Sequence, residues 1–428
     1  MTRATRFSMK FDEMMHLQTE VLIVGGGVVG KVLAIGLAGL KKSVTLIDMK
    51  PKLTSLARKQ RLSKRDARVY ALNLASLNLL THVGVHQFIR HADYVDMQVW
   101  QGDGRGELRF KKSHDAKILG SMVEPSVIDE ALDERAGSAD IMPFLTILND
   151  TMLDESFDID VRTTNNDGLV TVIVRQQDKK ILIETKLLVG ADGRESAVRR
   201  MSGIQTDRLD YHQTAICCAI HTTKPHGNTA RQAMLNTGTL ALLPLADMSA
   251  DDAGCWQSVV WTLPTKLAKT YLSLSTDELA QKLALASSFE LGEIVAVESV
   301  ASFALSAQVA KSHTAPRTLL MGDAAHGVHP LAGQGLNLGL ADVQALLDLM
   351  ECCDLSDNHQ NARLLRRYER ARRAKNALMM HSFSLINHVF VGDVFQREPM
   401  RFIRSEMVSM TGKIRPLMEF FNKKASGF

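Results

Sequence analysis

The residues best suited to chemistry fall in three clusters of glycine and aspartate, each placed where an apolar run ends. The densest lies in Arg317 to Leu340, RTLLMGDAAHGVHPLAGQGLNLGL. A short apolar strand over Thr318 to Met321 stops at Gly322 and Asp323. Pro330 then introduces a loop carrying Gly333, Gln334 and Gly335, with Asn337 and Gly339 just beyond. Glycine lacks a Cβ, so main-chain N–H groups here can touch a ligand. The periodic apolar run after Gly335 reads as a helix whose positive N-terminal end suits an anion. The pattern is that of a cofactor seat; read alone, it also fits an ordinary strand, loop and helix with incidental glycines.

Near the start, VLIVGGGVVGKVLAIGLAGLKKSVTLID sets Gly25, Gly27 and Gly30 in GxGxxG spacing between an apolar strand (Val21 to Val24) and a helix. A second strand ends at Asp48, 18 residues beyond Gly30, where a carboxylate can accept from the hydroxyls of an adenosine ribose. The first glycine makes the tight turn, the second admits a pyrophosphate to the backbone, and the third lets helix and strand pack closely. A dinucleotide-binding βαβ unit is expected. The third cluster, KLLVGADGRESAVRR, runs a strand (Leu187 to Val189) into Gly190, Ala191, Asp192 and Gly193, ahead of a helix start with Arg199 and Arg200. Asp192 could accept from a ribityl or ribose hydroxyl, or simply cap a type I turn.

Other elements must hold these seats together. Residues 1–18 read as a loosely ordered extension, and 94–110 as strands around a Gly-rich turn. Between them, Leu72, Ala75, Leu79 and Leu80 follow a helical pattern that ends at Gly84. On spacing alone, Asp66 and Arg68 ahead of it read as a solvated pair leading into that helix. VEPSVIDEALDERA over 123–136 predicts a helix with Pro125 in its first turn and Ser126 available as a cap. Two or three strands are expected over 157–189. Residues 206–301 alternate short strands (Thr214 to His221, Leu240 to Leu245, Ser258 to Leu263) with one helix (Thr276 to Ser287), as a separate antiparallel sheet would. Beyond Leu340 the chain reads as helical to its end, with arginines at 363, 366, 367, 370, 372 and 373 on a solvated face.

At 428 residues the chain exceeds a single typical core, and 45% hydrophobic with 23% charged residues suits a globular protein. A net charge of +4 lacks the concentrated basic face that nucleic-acid binding needs. Cys217, Cys218, Cys255, Cys352 and Cys353 show no metal-ligand spacing and read as small buried hydrophobes in a reducing compartment. The first twenty residues lack the apolar core of a signal peptide, and no apolar run is long enough to span a bilayer. A cytoplasmic protein, at most peripheral at the inner membrane, is expected.

GGGVVG, GADG and GDAAHGVHPLAGQGLNLGL, in that order, resemble the motifs of single-component FAD-dependent aromatic hydroxylases, and within them the ubiquinone-biosynthesis hydroxylases. The similarity runs from about Val21 to the C-terminus and includes DARVYALNLAS, LLPL at 242–245, SVVW at 258–261 and LRRYERAR at 365–372. VEPSVIDEAL, LDYHQTAI, ARQ at 230–232 and LRRYERARR are most similar to the branch that hydroxylates 2-polyprenylphenol at ring carbon 5. The resemblance implies an α/β fold like that of p-hydroxybenzoate hydroxylase. A Rossmann-type FAD-binding domain (19–82, 112–205, 302–352) would carry an inserted antiparallel β-sheet substrate domain (83–111, 206–301) and a helical C-terminal region (353–428).

It also implies roles. Gly25, Gly27 and Gly30 would hold the FAD pyrophosphate and Asp48 the adenosine ribose, while Arg68 would contact the cofactor, reversing the spacing-only reading. Asp192 and Gly193 fall on a motif tied to cofactor and pyridine-nucleotide binding, Gly322 and Asp323 on the ribityl contact, and Asn337 among the remaining cofactor contacts. Pro330, Gly333, Gln334 and Gly335 would form the catalytic loop past the isoalloxazine ring; His326 and His329 read as structural, and no metal is expected. The implied chemistry is hydride transfer from NAD(P)H, then O2 activation as a flavin C4a-hydroperoxide that attacks a polyprenylated phenol. The implied partners are a membrane surface, met through the basic region from Arg363 onward, and a ubiquinone-biosynthesis assembly. Pro125, Thr239 and Met234 depart from the family pattern. Hydroxylation of another ring position, a small-phenol hydroxylase and a non-catalytic flavoprotein scaffold are the alternative readings.

Overall fold

The computed structural model describes residues 14–85, 87–102, 107–111, 117–163, 168–327, 334–351 and 353–373. β1 (Met15–Val24), α1 (Val28–Gly39) and β2 (Val44–Asp48) form the opening βαβ unit. α2 (Ser55–Leu62) lies on the surface, and β3 (Tyr70–Asn73) leads into α3 (Leu74–His82). Next come β4 (Ala92–Tyr94), β5 (Asp96–Gln101), β6 (Glu107–Lys111), β7 (Gly120–Val123), α4 (Pro125–Ala136) and β8 (Leu145–Asn149). β9 (Thr151–Leu153), β10 (Asp160–Thr163), β11 (Gly168–Gln176) and β12 (Lys179–Gly190) precede α5 (Ala197–Met201). The middle of the chain holds β13 (Thr206–Thr222), β14 (Thr229–Leu235), β15 (Gly238–Pro244), β16 (Trp256–Pro264), α6 (Thr265–Leu272), α7 (Thr276–Ala286) and β17 (Ile294–Ala310). β18 (Thr314–Ala315), β19 (Thr318–Leu320), β20 (His326–Gly327), α8 (Gln334–Met350) and a helix α9 over 358–373 complete it.

The first sheet has a parallel centre in the order β8-β2-β1-β12-β19, extended by antiparallel β11 and β10. Its central strands are apolar on both faces, as a sheet covered on both sides requires. Val21, Ile23 and Leu46 pack against Leu33 and Leu37 of α1, Val343 and Leu347 of α8 and Tyr368 of α9. The second sheet runs β20-β17-β13-β16-β15-β14-β5-β6, antiparallel except that β14 pairs parallel with β5. A third, of three strands, joins β3, β7 and β4.

Several local expectations need correction. Residues 15–18 are not an extension: they continue β1, paired with Ile181 to Glu184 of β12. Leu72 belongs to β3, and the helix begins after Asn73, whose side chain accepts from Ser76 N–H. β13 and β17 have 17 residues each, far longer than expected, because they pair along their length. α6 was not foreseen: eight residues directly behind Pro264 give too little periodicity. Beyond Leu340 the helix ends at Met350, and a second helix begins where Asp357 Oδ1 accepts from His359 and Gln360 N–H. On α9 the arginines at 363, 366, 367, 370 and 373 are exposed, as a solvated face requires, whereas Arg372 is buried.

Candidate functional site

The turn after β1 is shaped by three approaches. Gly25 has φ +112°, and a Cβ there would lie 2.3 Å from the Ala191 carbonyl oxygen, so this turn packs directly on the middle motif. A Cβ at Gly30 would meet the Gly25 carbonyl oxygen at 2.0 Å. Gly27 differs: nothing lies within 4 Å of where its Cβ would be. It is also the N-cap of α1, with no side chain capping the first-turn N–H groups. Space and donors at a helix N-terminus suit an anionic group such as a pyrophosphate. A Cβ at Gly26 would lie 2.3 Å from Asp48 Oδ2, so the Asp48 carboxylate lies across this turn.

The three clusters converge. Gly27, Gly193, Gly322, Asp323 and Gly335 all line one cavity of about 730 Å³. Asp323 is half-exposed on its wall, 3.9 Å from Arg194 Nε. Gln308 Nε2 donates to the Arg194 and Asp323 carbonyls, and buried Arg199 donates to those of Arg194 and Ala324, stapling the middle motif to the third. Asp192 Oδ2 accepts from Ala197 and Val198 N–H at 2.7 and 3.1 Å, so it caps α5. Its Oδ1 has no partner among the described residues, and burial raises its pKa.

Beneath Gly322 lies a buried ionic cluster that the sequence reading missed. Asp342 Oδ2 accepts from Gly322 N–H at 2.9 Å and lies 2.6 Å from His326 Nε2, while Arg372 Nε donates to Oδ1 at 2.6 Å. Burial pushes the Asp342 pKa up, but His326 and Arg372 outweigh it and hold the carboxyl well below the usual range. His313 stacks edge-on at 6.0 Å from His326, and burial pushes its pKa down to about 4. Asn337 is also engaged: Oδ1 accepts from Asn73 N–H and Ser76 Oγ, and Nδ2 donates to Ala71 O, tying α8 to β3 and α3. Pro330, Gly333 and His329 lie outside the described residues, and Gln334 is the first residue of α8.

Arg68 stands on the cavity wall, its guanidinium over Tyr70 and Phe303 at 5.5 and 5.3 Å. Asp66 instead accepts from Ser126 N–H at 2.6 Å. It thereby caps α4 from outside, whereas the Ser126 hydroxyl, expected to cap, has no partner among the described residues. Pro125 sits at the first helical position behind Glu124. Unforeseen Arg65 crosses to the second sheet, donating to Ala246 O and to Asp252 Oδ2.

The second sheet supplies the rest of the cavity. Its outer face packs Ile216, Val259, Trp261 and Leu263 on Leu279 and Leu283 of α7. Alternation turns the opposite residues inward, and register aligns Gln232, Ala241, Val260 and Cys217 in one row across four strands. The short side chains of Ala241, Val260 and Cys217 give a flat wall. The Tyr94 hydroxyl, beside Gly120, has no hydrogen-bond partner among the described residues, and burial pushes its pKa up to about 12. It remains a neutral donor near neutrality. No motif holds Tyr94, and the row forms only because strands separated in sequence bring its residues together. Thr239 N–H donates to Thr262 Oγ1, a bond that a proline at this position could not make. Met234 takes an amide contact from Gln232 Nε2 at 3.3 Å. Cys217, Cys218 and Cys255 are buried free thiols. The described residues hold no cluster of metal-ligating side chains.

A family model described as FAD binding domain matches residues 18–382. The chain is 31% identical over 411 residues to ubiquinone hydroxylase UbiL of Rhodospirillum rubrum, across 95% of this chain and 89% of that protein. It is 29% identical over 396 residues to 3-demethoxyubiquinol 3-hydroxylase of Escherichia coli, across 92% and 94%. The crystal structure of p-nitrophenol 4-monooxygenase PnpA from Pseudomonas putida DLL-E4 shares the fold, with TM-score 0.72 at 17% identity, over 96% of this chain and 98% of that one.

Proposed function

We propose that this chain, which belongs to the FAD binding domain family and is an FAD-dependent aromatic monooxygenase, hydroxylates the ring of a polyprenylated phenol in aerobic ubiquinone biosynthesis. Ring carbon 5 is the position we favour. The 29% identity to a 3-demethoxyubiquinol 3-hydroxylase makes another ring position of the same pathway the second reading.

One observation carries the choice of substrate: the cavity wall formed by Ala215, Cys217, Ala241, Leu243 and Val260 bears no charge. A small carboxylated phenol needs a cation to anchor it. Of the three arginines on the cavity, Arg194 lies beside Asp323 and donates to Ser306, and Arg231 is held by the His226 carbonyl and Glu290. Arg68, over Tyr70 and Phe303 of the same cavity, would serve the cofactor rather than a substrate carboxylate. An uncharged ring with an apolar tail suits such a wall. Among the described residues no helix is long and apolar enough to cross a membrane, so a tailed substrate would be taken at the bilayer surface.

FAD, when bound and reduced by NAD(P)H, supplies the activation of O2 and the transfer of one oxygen atom to the ring. The chain's own residues bind, orient and keep the site dry. First-turn N–H groups of α1 at Gly27 would hold the pyrophosphate, Asp48 the adenosine ribose and Asp323 the ribityl hydroxyls. The α8 N-terminus, beginning at Gln334, would face negative charge on the ring system. The apolar wall excludes water, which is needed to couple reduction to hydroxylation. Tyr94 would donate to the phenolic oxygen and fix which ring carbon faces the flavin.

The test uses purified, FAD-loaded protein and follows NAD(P)H oxidation with a short-chain prenylphenol or with 4-hydroxybenzoate. Stimulation and a hydroxylated product with the first alone is expected. Stimulation by 4-hydroxybenzoate alone would shift the assignment to a small-phenol hydroxylase, and none with either to a scaffold.

A further inference from the structure

The stretch Met49 to Lys64, MKPKLTSLARKQRLSK, holds six Lys or Arg and no Asp or Glu. It joins Asp48, at the end of β2, to Arg65, and its one helix, α2, buries none of its residues. Residues 49–56 are all exposed, among them Met49 at 64%, Leu53 at 41% and Leu56 at 66%. Two of the cations face inward: Arg58 pairs with Glu130 and Asp133, and Arg61 with Asp129, all on α4. These pairs fix the helix to the domain. Lys50, Lys52, Lys59 and Lys64 are exposed and form no ion pair among the described residues.

A solvated charge run does not need three exposed apolar side chains, and an apolar protein interface does not need four unpaired lysines. An anionic bilayer takes both, because lysines meet its headgroups while Met and Leu enter the interface. The position adds a second argument. Ser299 Oγ donates to Arg65 O at 2.7 Å, laying β17 against the residue that ends this stretch. On that strand Val300 and Phe303 are exposed at 42% and 40%, and Phe303 lines the cavity under Arg68.

We infer that Met49 to Lys64 is a docking surface for an anionic lipid bilayer, beside the rim of the substrate cavity. The inference deepens the reading above by naming where the membrane meets the protein, and it rests on that reading for the origin of the substrate. It moves the membrane contact away from the basic C-terminal region.

The test floats full-length, FAD-loaded protein with phosphatidylglycerol-containing vesicles or with phosphatidylcholine alone. Wild type should float with the first only, and high salt should release it. Lys50→Glu/Lys52→Glu/Lys59→Glu should lower partitioning about a hundred-fold or more. Leu53→Ser/Leu56→Ser should lower it about ten-fold or more even at low salt. Both variants should keep wild-type FAD content and turnover of a water-soluble prenylphenol. No flotation of wild type, charge-reversed protein that floats as wild type does, or loss of flotation only on truncation after Met400 would each overturn the inference. Flotation without prenylphenol turnover would instead remove the substrate reading and leave the surface standing.

Discussion

Asp342 on α8 and His326 on β20 meet at 2.6 Å between Oδ2 and Nε2, each side chain only 1% exposed. The same oxygen accepts from Gly322 N–H, and Arg372 of α9 holds the other. Three elements around the expected ribityl contact therefore share one carboxylate. Its position, rather than any contact with substrate, connects the terminal helices to the cofactor seat.

Removing that carboxylate leaves Arg372 buried without its counter-charge. Asp342→Ala is expected to cost about 3–5 kcal/mol in unfolding free energy, read by urea denaturation, and to weaken FAD retention. Asp342→Leu/Arg372→Leu should cost less than Asp342→Ala alone, since the Arg372 charge is then not stranded.

The buried histidines give stability a definite pH dependence. Burial lowers the folded pKa of His313 to about 4, whereas an unfolded histidine titrates near its ordinary value. As pH falls through the window between those values, the unfolded chain takes up a proton that the folded chain refuses, so stability falls with acidification. The slope from this group is at most about 1.4 kcal/mol per pH unit. His226, also depressed by burial, adds to it. The denaturation midpoint of wild type should fall relative to that of His313→Leu as pH is lowered from about 6.5 toward 4.5. Parallel curves would count against a buried neutral His313.

Neighbouring glycines should fail in different ways. Gly25→Ala brings a Cβ within 2.3 Å of the Ala191 carbonyl at a φ of +112°, and should not give folded protein. Gly27→Ala meets nothing within 4 Å and has an extended N-cap backbone, so it should fold normally. Its methyl would occupy the cradle, weakening FAD binding about ten-fold or more in a fluorescence titration.

Tyr94→Phe removes a hydroxyl that no described residue satisfies, so the fold should be unaffected. Loss of one hydrogen bond to the substrate should lower kcat/KM by about ten-fold, and loss of orientation should raise hydrogen peroxide release per NAD(P)H consumed. Unchanged coupling would remove Tyr94 from substrate positioning.

The parts of the site made within one strand, turn and helix were legible beforehand. GxGxxG marks its own turn beside Asp48, and Gly322, Asp323 and Gly335 line one cavity with Gly27. Asp66 and Ser126 were misread because their pairing spans 60 positions: local spacing nominated the nearer cap, and folding supplied a stronger one. Arg372 looked like one more exposed arginine in a charged run, yet one residue of helical phase turns it inward to Asp342. The flat wall was illegible for a similar reason. Gln232, Ala241, Val260 and Cys217 come together only through strand register, which no local pattern states.

Hydroxylation of a polyprenylated phenol is tested by the quinone profile of a deletion strain grown in air. Extracts would be read by mass spectrometry with the gene absent, restored, or restored as Asp323→Ala. The deletion strain should accumulate 2-polyprenylphenol, cleared by the wild-type gene and not by Asp323→Ala. An unchanged quinone pool in the deletion strain would contradict it.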